Sequence, residues 1–361
     1  MPAFEPHDTS RLDDVAYQDY ILQGVSRTFA LTIPRLPVPL RVVVGNAYLL
    51  CRLADTIEDD PALSASDKKA FSERLIALIQ GRGDSTSFAA DLDSALVQTT
   101  PVAEQDLVHN TARVMRLTHT FPENQRAAIS RCVGTMTEGM ARYQANPPRA
   151  GLEDMPMLDD YCYHVAGVVG EMLTELFCDY CTTLRGRREV LLPLAVSFGQ
   201  GLQMTNILKD IWDDQSRAIC WLPRAVFSRH GLDLGKLEQA HQSAAFANGL
   251  NELIGITHAH LRNALSYTLM IPTTQRGIRH FCLWSIGMAM LSLRKLHHHP
   301  GFSNGAEAKI SRRAVHTVIA LCKLCGGSKR ASRMLFNLTA IGLPAAIATG
   351  AAMVSIPESS A

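Results

Sequence analysis

The chain has 361 residues, of which 47% are hydrophobic and 19% are charged, and its formal net charge at pH 7 is +1. This balance argues against a nucleic-acid-binding protein, and nine cysteines over this length do not form the pattern of a small disulfide scaffold. The length suffices for one large core or two fused domains, and the polar N-terminus resembles no signal peptide, which predicts a cytoplasmic protein.

Helical periodicity extends along the chain, and alternating β-branched runs and hairpin signals are scarce. Breaks rich in proline, glycine and polar residues separate the predicted helices. They fall at residues 34–39, 81–87, 146–156, 185–188, 216–223 and 299–305. None is long enough to be a flexible domain linker. The pattern therefore predicts an all-α protein, built as a single helical domain with a central cavity.

A short polar motif precedes the first proline-rich break. Ser26 and Arg27 lie just before Phe29 and Ala30 and are suited to contact an anion near a helix end. The run is too short to define a site without further residues.

An acidic cluster, residues 55–60, ends the next predicted helix. Tyr48, Arg52, Asp55 and Asp59 are spaced by four, three and four residues, so they share one face of that helix. Between them lie the apolar residues Leu49, Leu50, Leu53, Ala54 and Ile57. A largely apolar helix with one charged stripe is typical of a buried helix that faces a wet cavity. The alternative is an internal salt bridge from Arg52 to Asp55 or Asp59.

Residues 161–170 carry Gly167 and Gly170 within a helical pattern that begins at Tyr161. Glycine costs a helix roughly 1 kcal/mol relative to alanine, so it indicates close approach of another group. Either a bulky ligand or a tight helix–helix contact would account for it.

A second acidic cluster repeats the spacing of the first. Asp210, Asp213 and Asp214 share a helix face with Gln203 and Asn206, which lie one and two turns upstream. The neighbouring Lys209 would meet a phosphate; alternatively it is solvated or pairs with an acid.

Both acidic clusters predict a magnesium site. Grouped carboxylates resist burial and ionisation together, and Mg²⁺ relieves this by sharing carboxylate oxygens with substrate phosphates. No nucleotide-binding glycine motif of the usual kind is present.

The C-terminal segment from Leu335 to Ile356 is apolar and uncharged, and Lys329, Arg330 and Arg333 precede it. It is long enough to span a bilayer, but its alanine content makes its hydrophobicity modest. We expect either a membrane-contacting helix or a final core helix.

Together these motifs resemble the squalene/phytoene synthase family. The stretches that carry the resemblance are residues 26–30, 48–59, 161–170 and 203–214, and the similarity extends from about Tyr20 to Arg330. The resemblance implies the isoprenoid synthase fold and an enzyme that joins two isoprenyl diphosphates head to head. It also implies a catalytic domain over residues 1–330, followed by the apolar tail at 331–361.

Within the family, three segments are more similar to the squalene-forming branch: residues 55–60, Phe281-Cys282 and residues 309–312. The implied reaction condenses two farnesyl diphosphates to presqualene diphosphate and reduces it with NADPH to squalene. The alternative is a non-reductive member that makes dehydrosqualene, phytoene or presqualene diphosphate. A head-to-tail prenyltransferase, a terpene cyclase and a catalytically silent scaffold are more distant alternatives.

The resemblance implies a role for each matched residue. Mg²⁺ would be held by Asp55, Glu58, Asp59, Asp210, Asp213 and Asp214. The phosphates would be contacted by Ser26, Arg27, Arg52, Asn206, Lys209 and Arg217. The substrate cavity would involve Phe29, Tyr48, Gln203 and Phe281. Tyr161 would act near the first carbocation, with Asp55, Asp59, Asp210 and Asp214 as catalytic carboxylates, and NADPH would contact Lys309 and Arg312.

Two departures from the family pattern affect the phosphate contacts. Lys209 stands where the squalene branch often has arginine, and the loop at residues 215–221 is short, with Arg217 as its one cation. We expect a monomer, located in the cytoplasm or attached to the cytoplasmic face of the membrane through the tail.

Overall fold

The computed structural model describes residues 9–26, 28–240 and 242–345. Over these ranges the regular structure is helical, and the β-type pairing found there is an isolated bridge between Leu152 and Pro223. The prediction of an all-α protein is therefore confirmed.

The chain divides into two compact units. Unit 1 comprises residues 1–145 and 175–181, and unit 2 comprises residues 146–174 and 182–361. One helix, Val168–Tyr180, contributes its first half to unit 2 and its second half to unit 1.

Unit 1 is built around one long buried helix. Its helices are α1 (Asp14–Val25), α2 (Phe29–Thr32), α3 (Val38–Asp59), α4 (Ala65–Ile79), α5 (Ser85–Ala95), α6 (Val102–His109), α7 (Thr111–Thr118) and α8 (Glu123–Ala145). A 3-10 turn, Ile33–Arg35, follows α2. Helix α3 packs against α1, α4, α6, α7 and α8. Its predicted packing residues, from Leu49 to Ile57, are at most 1% exposed.

Unit 2 contains the remaining helices. They are α9 (Met155–Cys162), α10 (Val168–Tyr180), α11 (Thr182–Arg185), α12 (Arg188–Lys209), α13 (Ile211–Gln215), α14 (Arg224–Arg229), α15 (Leu237–Ala240), α16 (Ala244–Met270), α17 (Arg276–His298), α18 (Gly305–Ala308), α19 (Arg312–Cys325) and α20 (Lys329–Ala340). A π-helical turn, Tyr163–Gly167, joins α9 to α10, and a 3-10 turn, Leu234–Lys236, precedes α15. The long helices α12, α16 and α17 pack against one another and form the centre of the unit.

Helix ends follow local chemistry. Each break predicted from the sequence lies at a helix boundary in the structure. Polar residues cap several starts: Ser64 and Asp67 form a reciprocal capping box at α4, and the Ser328 hydroxyl accepts from Ala331 N at α20. These caps satisfy amide groups that the first turn leaves without partners.

The glycines near Tyr161 serve a helix–helix contact. A Cβ on Gly170 would lie 2.2 Å from the carbonyl oxygen of Ala195, and a Cβ on Gly199 would lie 2.2 Å from the carbonyl oxygen of Ala166. Backbones this close leave no room for a methyl group. Of the two explanations open from the sequence, the tight helix contact is the one observed.

A buried arginine connects the C-terminal helices. Arg279 on α17 is 0% exposed and donates to the carbonyl oxygens of Gly326 (2.6 Å), Thr268 (3.0 Å) and Ile271 (3.0 Å). These carbonyls lie at helix ends, where the backbone carries partial negative charge and lacks helical partners. The guanidinium thus ties the ends of α16 and α19 to α17.

The predicted tail is described only as far as residue 345. Helix α20 crosses the predicted boundary at residue 330, and its Ser332 and Phe336 are buried. In the described ranges, no helix is long and apolar enough to cross a bilayer. Residues 346–361, which hold the rest of the apolar segment, lie outside the described residues.

All nine cysteines are free thiols. Eight are buried, and Cys325, at the end of α19, is half-buried. The cysteines therefore act as small core residues.

Candidate active site

Three predicted residues of unit 1 meet at the end of α1. The carbonyl oxygen of Val25 accepts from the Tyr48 hydroxyl at 3.0 Å and from Arg52 Nη2 at 3.2 Å. Ser26, the C-cap of α1, is only 7% exposed. Burial raises the pKa of Tyr48, so its hydroxyl stays protonated and available as a donor.

The short motif that holds Ser26 and Phe29 lies against Tyr48. The Ser26 hydroxyl accepts from Phe29 N at 2.9 Å, and the Phe29 ring lies 5.2 Å from the Tyr48 ring. Residues separated in sequence therefore form one cluster: Ser26, Phe29, Tyr48 and Arg52. Arg27, predicted with them, lies outside the described residues.

Arg52 also lies between two acids. Its Nη1 is 3.8 Å from Asp55 Oδ2, and its Nη2 is 3.5 Å from Glu104 Oε1. The Thr56 hydroxyl donates to Glu104 Oε2 at 3.3 Å, which fixes this carboxylate. The internal pair of Arg52 and Asp55, left open by the sequence, is thus present. Glu104 was not predicted, because nothing local in α6 connects it to α3.

The carboxylates of the first cluster have different environments. Desolvation raises the pKa of Asp55 to about 7; Arg52 opposes this and Asp59, Glu104 and Glu58 reinforce it. Desolvation likewise raises the pKa of Glu58 to about 7, although Lys68 lowers it. Asp59 is exposed, at the end of α3.

Asp60 has a structural role. It is 4% exposed and accepts from Ala62 N at 2.8 Å and Val97 N at 3.1 Å. Its lone pairs are used to hold two loops.

In unit 2, the helix predicted to carry the second cluster is interrupted. Helix α12 ends at Lys209 and α13 begins at Ile211, with Asp210 between them at φ −102° and ψ 14°. The Asp214 amide still donates to the Asp210 carbonyl at 2.8 Å, so the chain turns without losing the next helical bond. The prediction of one continuous helix is wrong at this residue, while the order of the acids along the turn is kept.

Lys209 is engaged by its neighbours. Its Nζ lies 3.1 Å from Asp210 Oδ2 and donates to Asn206 Oδ1 at 3.2 Å. The pairing with an adjacent acid is therefore the arrangement observed. Gln203 is half-buried one turn before Asn206, which is exposed.

The other two acids of this cluster face different neighbours. Asp214 is 7% exposed, and its Oδ1 accepts from Arg217 Nη2 at 2.6 Å. Burial raises the pKa of Asp214, and the Arg217 contact opposes the rise. Asp213 is exposed, and a Cβ on Gly305 would lie 2.5 Å from its Oδ2, so α18 approaches this carboxylate closely.

The loop before α14 brings Trp221, which was not predicted, to Tyr161. The Trp221 ring stacks on the Tyr161 ring with centroids 3.8 Å apart and planes 10° from parallel. The loop is held by Cys220 N, which donates to the Pro148 carbonyl at 2.8 Å, and by Leu152 N, which donates to the Leu222 carbonyl at 2.9 Å. Trp221 lies in a predicted break, where sequence patterns assign no partner.

The same loop contains a left-handed residue. Ala218 has φ +57°, a conformation that costs an L-residue with a Cβ roughly 1–2 kcal/mol. In the segment that pairs with this loop, Gly151 has φ +95°, and a Cβ there would lie 2.7 Å from the Leu222 carbonyl oxygen.

The remaining predicted residues lie on the C-terminal helices of unit 2. Phe281 on α17 is 4% exposed. Lys309 and Arg312 are exposed at the start of α19, and the Lys309 carbonyl accepts from Lys295 Nζ at 2.6 Å. Neither Lys309 nor Arg312 pairs with an acid in the described part of the chain.

These carboxylates fit an Mg²⁺ ion whose coordination a substrate completes. Within the described ranges, no three His, Cys, Asp or Glu side chains form a closed metal cage. Mg²⁺ does not need one, because it is usually held by one or two carboxylates, water and substrate phosphates. Glu58 Oε1 is buried and has no hydrogen-bond partner among the described residues. Burial is the main cause of the raised pKa values of Asp55 and Glu58, and a bound dication would favour their charged forms.

Sequence comparison gives one family match. The sequence model described as squalene/phytoene synthase matches residues 22–314. The squalene synthase of Eremothecium gossypii is 26% identical over 298 residues, which are 81% of this chain and 64% of that protein. The squalene synthase of Solanum lycopersicum is 29% identical over 268 residues, 73% of this chain and 59% of that protein. The chain thus spans about three fifths of the length of these curated relatives.

Solved structures share the fold. A complex of TcSQS with the ligand BPH1237 superposes with a TM-score of 0.72 at 23% identity, covering 91% of each chain. A dehydrosqualene synthase in complex with a ligand gives a TM-score of 0.62 at 20% identity, covering 86% of this chain and 95% of that one. At this identity the likeness establishes the isoprenoid synthase fold alone.

Proposed function

The chain belongs to the squalene/phytoene synthase family, and on this premise we propose that it is a Mg²⁺-dependent prenyltransferase that joins two isoprenyl diphosphates head to head. Its substrate is farnesyl diphosphate and its first product is presqualene diphosphate, which it reduces with NADPH to squalene. The observation that carries the proposal is the meeting of Tyr48 and Arg52 on the Val25 carbonyl, next to Ser26 and beside Asp55.

Cationic side chains neutralise the leaving group. Diphosphate departs poorly while its charge is uncompensated, so donors aimed at that charge lower the barrier. Arg52 offers a planar fork, and its contacts to Val25 and Glu104 fix the plane of that fork. Lys209 and Arg217 supply further positive charge, and both are held by acids until a phosphate arrives.

Each acidic cluster would hold Mg²⁺ ions. Asp55, Glu58 and Asp59 in unit 1, and Asp210, Asp213 and Asp214 in unit 2, are the residues that would bind Mg²⁺, which would neutralise charge on the diphosphate oxygens. Before binding, burial raises the pKa values of Asp55 and Glu58 to about 7, so that each carboxyl can hold a proton near neutral pH.

Tyr161 handles the proton lost when the cyclopropane closes. Its ring is held by the stack on Trp221, so the position of its hydroxyl is set by the loop that carries Trp221. The faces of the two rings also stabilise nearby positive charge. The apolar sides of the surrounding helices exclude water, which would otherwise quench a carbocation.

The reductive step needs a phosphate-bearing dinucleotide. Lys309 and Arg312 would contact NADPH, which would supply the hydride, and their exposure without acidic partners in the described ranges suits binding of phosphate. Phe281 and Gln203 border the prenyl chains in this proposal.

Product analysis tests the proposal. The full chain is incubated with farnesyl diphosphate and Mg²⁺, with and without NADPH, and the products are separated by gas chromatography and identified by mass spectrometry. Squalene formed only with NADPH supports the reductive reaction. Presqualene diphosphate or dehydrosqualene in both samples assigns the chain to the non-reductive branch, and no consumption of either farnesyl or geranylgeranyl diphosphate overturns the proposal.

A pair of variants separates catalysis from folding. Asp55→Ala should abolish turnover, whereas Asp19→Ala, an acid on α1 paired with Arg41 at 3.2 Å, should leave it within about twofold. Equal activity in the two variants would remove Asp55 from the site.

A further inference from the structure

Glu104 is a carboxylate of the candidate active site that holds neither metal nor substrate in the proposed reaction. It lies in the first turn of α6, and 18% of its side chain is exposed. Its Oε1 lies 3.5 Å from Arg52 Nη2, and its Oε2 lies 3.3 Å from the Thr56 hydroxyl. Because Arg52 and Thr56 both belong to α3, the side chain of one helix reaches the charged face of another.

Arg52 is shared between two carboxylates and forms a close ion pair with neither. Its Nη1 lies 3.8 Å from Asp55 Oδ2, and its Nη2 lies 3.5 Å from Glu104 Oε1. A close pair between a guanidinium and a carboxylate has a separation of about 2.7–2.9 Å. The Arg52 Nε is buried and has no hydrogen-bond partner among the described residues. The guanidinium therefore stands between Asp55 and Glu104 with one donor unused.

The start of α6 is tied to the residue that follows α3. The Asp60 carboxylate accepts from Val97 N at 3.1 Å and from the Thr100 hydroxyl at 3.3 Å. The Gln105 side chain donates in turn to the Thr100 carbonyl at 3.0 Å. These bonds fix the loop that leads into α6, and with it the first turn that carries Glu104.

Helix α6 is also tied to α1. The Tyr17 hydroxyl donates to the carbonyl oxygen of Asp106 at 3.0 Å, and the Asn110 side chain donates to Asp106 Oδ1 at 2.7 Å. Tyr17 lies on α1, the helix whose last carbonyl, that of Val25, accepts from Arg52 at 3.2 Å. Helices α1, α3 and α6 thus form a closed frame around the Arg52 guanidinium.

We propose that Glu104 is a positioning residue, which keeps Arg52 from closing on Asp55 and so leaves the Asp55 carboxylate available to Mg²⁺. A guanidinium with one carboxylate beside it would approach that carboxylate, because the attraction grows as the separation falls. A metal ion would then have to displace it. A second carboxylate on the other side of Arg52 offsets this pull. The inference rests on the proposed function, because it takes Asp55 to be a metal ligand.

Binding of inorganic pyrophosphate tests the inference without turnover. Pyrophosphate is titrated into the full chain by calorimetry over a series of Mg²⁺ concentrations. For Glu104→Gln we expect the Mg²⁺ concentration that supports half-maximal binding to rise about tenfold, which is typical for loss of a group that orients metal ligands. Thr56→Val keeps the carboxylate but removes the hydroxyl beside it, so the requirement for Mg²⁺ should rise in the same direction by a smaller factor.

Glu123→Gln is the matched control. Glu123 is exposed in the first turn of α8, so this change removes the same charge from the same helical position in unit 1. Any loss that comes only from the favourable placement of an acid at a helix start is therefore shared by both variants. The control should bind pyrophosphate as the unmodified chain does, and circular dichroism melts verify that each variant folds.

A double-mutant cycle shows whether Glu104 acts through Arg52. In a chain that already carries Arg52→Gln, adding Glu104→Gln should change the Mg²⁺ requirement by less than about twofold, because the group to be positioned is gone. An undiminished effect in that background would mean that Glu104 acts on the metal directly, and it would overturn the inference. An unchanged Mg²⁺ requirement in Glu104→Gln, or an equal rise in Glu123→Gln, would overturn it as well.

The result can be separated from that of the product analysis. If the chain converts no prenyl diphosphate but the cycle still shows that Glu104 acts through Arg52 on Mg²⁺-dependent binding, the proposed reaction fails and the positioning role holds. If squalene or presqualene diphosphate is formed while Glu104→Gln binds pyrophosphate as the unmodified chain does, the reaction holds and the positioning role fails.

Discussion

Trp221 lies face to face with Tyr161, with ring centroids 3.8 Å apart and planes within 10° of parallel. Both residues are half-buried, and the Trp221 loop is held to residues 148–153 by backbone hydrogen bonds. The position of the Tyr161 hydroxyl therefore depends on a loop distant from it in sequence.

Replacing Trp221 separates this positioning role from general stability. Trp221→Ala should lower kcat at least tenfold while KM changes less than about threefold, because the phenol loses its supporting ring. Trp221→Phe keeps an aromatic face and should recover most of kcat. Steady-state kinetics with farnesyl diphosphate measures both constants. A Trp221→Ala variant that melts at a lower temperature but retains kcat would show that the stack is only structural.

Arg52→Lys tests the forked contact. An ammonium group cannot hold Val25, Asp55 and Glu104 at once, so kcat/KM should fall at least tenfold, or about 1.4 kcal/mol. Arg41→Lys is the matched control, since Arg41 lies on the same helix in a half-buried pair with Asp19. Equal losses in the two variants would contradict a specific role for Arg52.

Gly170→Ala should destabilise the fold. The added methyl group would lie 2.2 Å from the Ala195 carbonyl oxygen, and relieving such overlap costs about 2–3 kcal/mol. Gly134→Ala, on α8, is the control, because its Cβ would meet only Ile76 Cδ1 at 3.8 Å. Helix propensity predicts a gain in stability of up to about 1 kcal/mol there. Urea unfolding of both variants measures the difference, and a neutral Gly170→Ala would disprove the tight contact.

The stability of unit 2 should depend on pH through His260. Burial lowers the pKa of His260 from 6.5 to about 4, and its Nδ1 lies 2.8 Å from the Ser197 hydroxyl, which also accepts from Asn263 at 3.0 Å. As pH falls, His260 therefore becomes protonated in the unfolded chain before it does so in the folded chain. The stabilisation is complete above pH 6.5 and is lost as pH falls towards 4.

Urea unfolding at several pH values measures this effect. Between pH 7.5 and 5, the His260 contribution should fall by about 2 kcal/mol. His260→Gln should be less stable at pH 7.5 yet lose less on acidification, whereas His299→Gln, at an exposed position, should follow the unmodified chain. Parallel curves for all three proteins would refute the assignment.

Ala218→Gly should stabilise the loop that carries Trp221. Glycine adopts φ +57° without the Cβ clash, which favours the folded state by roughly 0.5–1 kcal/mol after the greater entropy of glycine in the unfolded chain is included. Ala150→Gly is the control, at an ordinary backbone conformation in a turn, and should lose stability. Thermal melts compare the two, and a lower melting temperature for Ala218→Gly would contradict the expected relief of strain.

The helical breaks were predictable because proline, glycine and capping residues act locally. The interruption at Asp210 was not, since that stretch contains neither proline nor glycine. There Trp212 packs near Phe246 and Phe302, at 5.9 and 6.2 Å between ring centroids. These are tertiary contacts that outweigh a local helical preference.

The site shows the same difference between local signals, which the sequence contains, and tertiary contacts, which it does not. Tyr48, Arg52 and Asp55 share a helix face, so their spacing predicts that they act together. Glu104 and Trp221 join the predicted residues only through packing of distant segments, which spacing does not contain. The Lys209–Asp210 pair was an open alternative from the sequence, and its geometry became known only from the fold.

The burial of eight of the nine cysteines has a practical consequence at the turn between α19 and α20. Cys325, the half-buried exception, directly follows Leu324, so a maleimide dye should label the native chain at one position without engineered thiols. An environment-sensitive fluorophore there would report any change in the surroundings of the turn between α19 and α20.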